Sequence, residues 1–253
     1  MSSYCFDAKK ETESMIAYWK EYFAKTFSPE TNAVVALSGG KDSSVVAALM
    51  VAALGKDRVK GIMLPQHVQD DIDCSIQLAE HFGIEYKIVN IGPTVDSIVE
   101  EMKKSGVEPT RQALLNVAAR VRMVETFFYG QCVNGVPSCN CNLSEDWIGW
   151  ATYGGDGFGC FAPLQHYTVT EVKQIGRELG VPENLVNKVP KDGLTDKTDE
   201  DNFGFTYAVL DHYIRTGEIE DLEVKKSIDS RHKANAFKLL PMVTYRPELP
   251  VEA

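Results

Sequence analysis

The polar and apolar positions alternate between two regimes. From Glu11 to Phe27, the residues Met15, Tyr18, Trp19, Tyr22, Phe23 and Thr26 recur at helical spacing, which predicts an amphipathic helix. Ala33–Leu37 is a short continuous apolar run, the pattern of a strand buried on both faces. Asp42–Leu54 then reads as a helix ending at Gly55, and Val59–Leu64 as a second apolar strand. Asp70–Phe82 is a predicted helix closed by Gly83, and Ile84–Asn90 a third strand. Val95–Lys104 reads as a helix capped by Thr94, and Thr110–Tyr129 as a long helix. A loop rich in Asn, Cys and Ser follows, then a helical segment at Glu145–Thr152, a glycine cluster, and a helix near Thr170–Leu179. The stretch from Pro190 to Asn202 is charged and poor in apolar residues, which predicts a mobile loop. Helices and a Pro-containing tail complete the chain, without an internal repeat.

Strands alternating with helices predict an α/β fold: a doubly wound parallel sheet with helices on both faces. The 253 residues are expected to form a single domain. No apolar stretch approaches the ~20 residues of a membrane span, and the N-terminus lacks an apolar signal core. A cytoplasmic location is the expectation. The net charge of −10 argues against nucleic acid as a partner, so a phosphorylated ligand must be held by local groups. The six cysteines are expected to be free thiols. Cys139 and Cys141, with Cys132 upstream, fit no common zinc spacing.

Ser38-Gly39-Gly40 falls at the carboxyl end of the first strand, where ligands of such sheets bind. A bare Gly-Gly is often a tight turn. Between a buried strand and a helix opening on Asp42-Ser43-Ser44, it has the arrangement of an anion site. The loop is not a Walker A motif, because its glycines are adjacent and Lys41 precedes Asp42. The dinucleotide fingerprint is absent too. "SGGKDS" instead resembles the signature of the PP-loop ATP pyrophosphatases, with their adenine nucleotide alpha hydrolase-like fold. Backbone N–H groups and the Ser38, Ser43 and Ser44 hydroxyls would ring the phosphate oxygens. Asp42 is a poor neighbour for phosphate without a bridging Mg²⁺.

Three further blocks extend the resemblance over nearly the whole chain. "NVAARVRM", "CNLSEDWIGWATYGGDGFGCFAPL" and "GLTDKTDEDNFGFTYAVLD" together resemble NAD⁺ synthetases of the ammonia-dependent type. The resemblance implies ATP, deamido-NAD⁺ and ammonia as substrates, Mg²⁺ as cofactor, and a homodimer; the helix Thr110–Tyr129 is a candidate for its surface, with core packing as the plainer reading. It places Ser38, Gly39, Gly40, Lys41, Asp42, Ser43, Ser44, Met63, Asn140 and Lys191 at ATP, and Asp42 and Glu145 at the metal. Arg122, Asp156, His232 and Lys233 match contacts to deamido-NAD⁺, with Asp42 and Asp156 in catalytic roles. Lys191–Asn202 matches a loop that orders over the substrates. Each residue also has a plainer reading: Glu145 as a helix-start charge, Asp156 as a turn residue, His232-Lys233 as an exposed helix end. Arg120 and Arg122 point to different helix faces, so one of them is expected to turn inward.

The chain departs from the family pattern at Asn140, usually threonine, at Cys160, often aspartate, at Val169, often lysine, and at Met63, sometimes arginine. Alternatives stay open on the residues, the first being another PP-loop adenylating ligase. A tRNA-modifying thiolase would call for CxxC and a basic surface, which this chain lacks. A nucleotide-binding protein without turnover draws on the departures at Cys160 and Val169. No amidase domain for releasing ammonia from glutamine is recognisable in the sequence.

Overall fold

The computed structural model describes residues 4–189 and 198–245. Four parallel strands form its sheet: β1 (Asn32–Ala36), β2 (Val59–Met63), β3 (Glu85–Ile88) and β4 (Gly135–Pro137), in the order β3-β2-β1-β4. Ala33 pairs with Val59 on one side of β1, and Asn32 with Gly135 on the other. Central position explains the apolar run: Val34 and Val35 are both fully buried, on opposite faces.

Those two faces carry separate cores. Ala33, Val35 and Leu37 pack with Val59 and Met63 against α1 (Ala8–Thr26), α2 (Lys41–Leu54), α3 (Ile72–Phe82) and α7 (Val169–Glu178). Val34, Ile62 and Leu64 pack against α4 (Gly92–Lys104) and α5 (Arg111–Cys132). The one-residue offset is the period of a strand, and the doubly wound sheet follows from it. Helix α2 is buried continuously from Ser43 to Met50, as a helix apolar on all sides must be. A third cluster joins α6 (Leu143–Ile148), α9 (Asp199–Phe203), α10 (Tyr207–Thr216) and α11 (Leu222–Asn235) through Ile148, Phe203, Tyr207, Leu210 and Ile228. The short helix α8 (Glu183–Val186) packs on α2. Among the described residues no helix is long and apolar enough to cross a membrane.

Four expectations need correction. The segment after Tyr129 is not all loop: α5 continues to Cys132, and Gly135–Pro137 is an edge strand. Three residues beginning with glycine and ending with proline carry no strand pattern, so only pairing with β1 reveals it. Thr94 does not cap α4. That helix starts at Gly92, with Pro93 in its first turn, and Asn90 Oδ1 accepts from Gly92 N at 2.8 Å. The helical segment expected at Glu145–Thr152 is α6, which starts earlier and stops at Gly149 in a left-handed conformation. Of the loop expected at Lys191–Asn202, residues 191–197 lie outside the described residues. Thr198–Asn202 is ordered, because Thr198 and Asp201 form a reciprocal capping box on α9.

The chain builds β1, β2 and β3 outward in one direction and then returns to place β4 on the far side of β1. The loops leaving β1 and β4 therefore diverge at a topological switch point, where sheets of this kind form a ligand crevice.

Candidate active site

The β1–α2 loop is shaped as an anion cradle. Gly39 has φ +73°, and a Cβ there would lie 2.9 Å from Cys74 Cβ and 3.0 Å from Ser75 N, so only glycine fits. Gly40 is the N-cap of α2 and supplies no side-chain cap, leaving the first-turn N–H groups of a 14-residue helix without a capping side chain. Ser38 is exposed at the mouth, and its Oγ lies 3.1 Å from Ser43 Oγ and accepts from Gly40 N. Ser43 and Ser44 are buried behind it. Each donates its hydroxyl to Gly40 O, at 3.2 and 2.7 Å. Of the three hydroxyls, Ser38 alone faces outward, and the other two brace the turn.

Opposite the loop stands α6, which leaves β4 through Asn140, Cys141 and Asn142. Asn142 is the N-cap of α6: its Oδ1 accepts from Glu145 N at 3.1 Å, while its Nδ2 donates to Asp42 Oδ1 at 3.0 Å. One carboxamide thus joins the two helix starts and brings Asp42 and Glu145, 103 positions apart in the chain, to one place. Lys41 lies between them, with Nζ 2.8 Å from Asp42 Oδ2 and 3.6 Å from Glu145 Oε1. Its side chain is only 2% exposed. Burial opposes the ammonium, but Asp42 and Glu145 more than offset this and hold it protonated. Burial and the Asp42 charge lift the Glu145 carboxyl well above the usual carboxylate range. Asp199 of α9 adds a third acid, bonded to Tyr207 Oη at 3.0 Å and to the Trp150 side chain.

Asn140 Nδ2 donates to Ala36 O at 3.0 Å and its Oδ1 accepts from Ser138 Oγ at 2.7 Å, which fixes it beside the end of β1. Met63 departs from the expected adenine contact: it is 1% exposed, with its side chain in the core beneath the sheet. Lys191 lies outside the described residues. Arg122 is the arginine that turns inward. It is half-buried, donates from Nε to Leu64 O at 3.2 Å, and is lowered by burial against the favourable charge of Asp156. Arg120 is exposed and donates to Tyr153 O. Asp156 is exposed, with Oδ1 accepting from Thr152 N at 2.7 Å. His232 stacks on Trp147, ring centroids 4.1 Å apart, and donates from Nδ1 to Trp147 O. Lys233 is exposed on α11. Cys160 is exposed, and Val169 is buried under α10 and α11.

Cys139 and Cys141 lie side by side, both Sγ atoms 3.5 Å from Asp156 O. The hydrogen bond with Cys139, and then burial, push the Cys141 thiol well up. Among the described residues no group of three or more His, Cys, Asp or Glu forms a metal cluster. Pattern reading passed over Asn142, Asp199 and Tyr207. Asn142 carries a signal, since Asn three residues before Glu is a helix-start signature. Asp199 and Tyr207 fall within the third block, but nothing local to them signals that the Tyr207 ring would lie 5.6 Å from Lys41 Nζ or that the Asp199 charge would act on that ammonium.

A parallel sheet with a glycine cradle at its switch point and acids facing that cradle defines a PP-loop α/β enzyme. Residues 11–250 match the family model for NAD synthase, and the chain belongs to that family. It is 39% identical over 194 residues to the NH(3)-dependent NAD(+) synthetase of Pyrococcus furiosus, covering 76% of this chain and 74% of that one. The structure of NMN synthetase from Francisella tularensis superposes with a TM-score of 0.86 at 25% identity, over 97% of this chain and all of that one. The NH3-dependent NAD synthetase from Campylobacter jejuni gives 0.76 at 26% identity, over 95% and 100%.

Proposed function

We propose that this enzyme makes NAD⁺ from deamido-NAD⁺, ATP and ammonia, with Asp42, Glu145 and the β1–α2 loop handling the phosphates. The observation that carries the reading is the convergence of the uncapped α2 N-terminus with Asp42 and Glu145 at the switch point. In the first step a nicotinate carboxylate oxygen bonds to the α-phosphorus of ATP, and the bond to the β-phosphate oxygen breaks. Pyrophosphate leaves along the backbone N–H groups of Gly40, Lys41 and Asp42, which stabilise its charge. In the second step ammonia attacks the acyl carbon, AMP departs, and the nitrogen loses a proton. Asp156, its carboxylate directed by Thr152 N, orients the ammonia and takes that proton. Arg122, His232 and Lys233 hold the deamido-NAD⁺, and Asn140 holds ATP at the end of β1.

The donor set fits Mg²⁺. Asp42 and Glu145 present two carboxyl groups at the phosphate cradle, and the phosphates of ATP would supply the further oxygen ligands a hard cation needs. Bound by Asp42 and Glu145, the ion would shield the phosphates and make pyrophosphate a better leaving group. We also assign a homodimer, supported by the exposed apolar side chains of Ile98 and Met102 on α4 and Leu114, Val124 and Phe128 on α5.

A second reading changes only the size of the acid substrate. The TM-score to the NMN synthetase exceeds that to the Campylobacter NAD synthetase. On that reading the acid is nicotinate mononucleotide. The experiment supplies MgATP and ammonium with either acid and measures amide product and pyrophosphate. Higher kcat/KM with deamido-NAD⁺ is expected, with one pyrophosphate per NAD⁺. A preference for the mononucleotide would select the second reading, and pyrophosphate release independent of either acid would overturn both.

A further inference from the structure

Lys41 is the first residue of α2, directly after the glycine cradle, yet its side chain is buried. It is enclosed by Asp42 Oδ2 at 2.8 Å, Glu145 Oε1 at 3.6 Å and the Tyr207 ring, with Nζ 5.6 Å from the ring centroid. The Tyr207 hydroxyl is bonded to Asp199 Oδ2, which holds the ring over the ammonium. A lysine is retained in such a place only when its charge is paired. To reach outward to an anion it would have to abandon both carboxylates.

We propose that the Lys41 ammonium is the resident counter-charge of the Asp42 carboxylate and the neighbouring Glu145 carboxyl in the nucleotide-free enzyme. The inference rests on the reading of Asp42 and Glu145 as the acids of the metal site. It adds that this chain supplies one of the site's positive charges from its own sequence. Two consequences follow from Coulomb's law. The acids stay gathered in the nucleotide-free enzyme without a divalent ion. A divalent ion arriving without phosphate meets an ammonium already paired to its two ligands, so it enters only with ATP. Lys41 is a positioning residue, since it acts through the acids and not on the reacting atoms.

The test uses Mn²⁺ as probe on the nucleotide-free full chain, with free Mn²⁺ read by electron paramagnetic resonance and unfolding temperature measured in parallel. The wild type is expected to show no sub-millimolar Mn²⁺ binding and no change in unfolding temperature with Mn²⁺ or chelator. Lys41→Met keeps the aliphatic stem and removes the charge. It is expected to bind Mn²⁺ at least about tenfold more tightly, because a cation a few ångströms away has been removed. Adding Glu145→Gln should abolish that gain, and Lys41→Arg, which keeps the charge, should behave as wild type. Tight Mn²⁺ binding by the nucleotide-free wild type overturns the proposal, whether or not Lys41→Met folds. Unchanged Mn²⁺ affinity in folded Lys41→Met overturns it too. If Glu145→Gln alone retains MgATP-dependent pyrophosphate release, the acid assignment fails. If that variant loses release while Lys41→Met leaves Mn²⁺ affinity unchanged, only the Lys41 proposal fails.

Discussion

Asn142 Nδ2 lies 3.0 Å from Asp42 Oδ1, so the capping residue of one helix holds the first-turn acid of another. Asn142→Ala removes both the cap and the tether. The lost cap costs about 1 kcal/mol, and the lost hydrogen bond to a charged group about 1.5–3 kcal/mol more. Urea denaturation should show the sum, with a rise in KM for MgATP. Wild-type stability in this variant would mean that the bridge contributes nothing.

Glu145→Gln should separate stability from activity. The carboxyl is 15% exposed, crowded by the Asp42 charge and raised by burial. A neutral amide of the same shape relieves that crowding, so the unfolding temperature should be equal or higher. Pyrophosphate release should fall by roughly 10²–10³, the scale on which a group facing developing charge acts. Near-normal release would remove Glu145 from the phosphate site.

Asp146 gives a pH dependence. It is buried beside Asp156, and burial first, then the Asp156 charge, pushes its carboxyl from 3.8 up to about 6, against the pull of Lys238. Between those values the folded state holds a proton that the unfolded chain releases. The stabilisation is therefore full below about pH 4 and is lost as pH rises through about 6. Asp146→Asn should remove this fall and stabilise the protein at neutral pH by about 1–3 kcal/mol. Parallel stability–pH curves for variant and wild type between pH 4 and 7 would contradict the assignment.

Gly39→Ala and Gly55→Ala form a matched pair. Both positions have positive φ, +73° and +84°, so each substitution costs about 1–2 kcal/mol of backbone strain. At Gly55 a Cβ meets nothing within 4 Å. At Gly39 it meets Cys74 Cβ and Ser75 N, and the loop must shift. Chemical denaturation should therefore rank Gly39→Ala as the more damaging, and MgATP binding by calorimetry should be lost in that variant alone. Equal effects would show that the cradle tolerates movement.

The sequence by itself determined the alternation of apolar runs and helical stripes, hence the parallel sheet and its two covered faces. It also determined the place of Ser38-Gly39-Gly40 at a strand end, because a turn of that kind is written in adjacent residues. Glu145 was legible through its block, and the inward turn of one of Arg120 and Arg122 through helix periodicity. Tertiary structure decided the rest. β4 is a strand only because β1 offers it a pairing edge, and its return beside β1 creates the switch point. Met63 went to the core because strand register gives alternate residues to opposite faces. Lys41 faces acids because Glu145 and Asp199 arrive from more than a hundred residues away. Local pattern records what a residue can do with its neighbours in the chain. Which charges gather around a buried ammonium is a long-range electrostatic outcome, and no window of the sequence contains it.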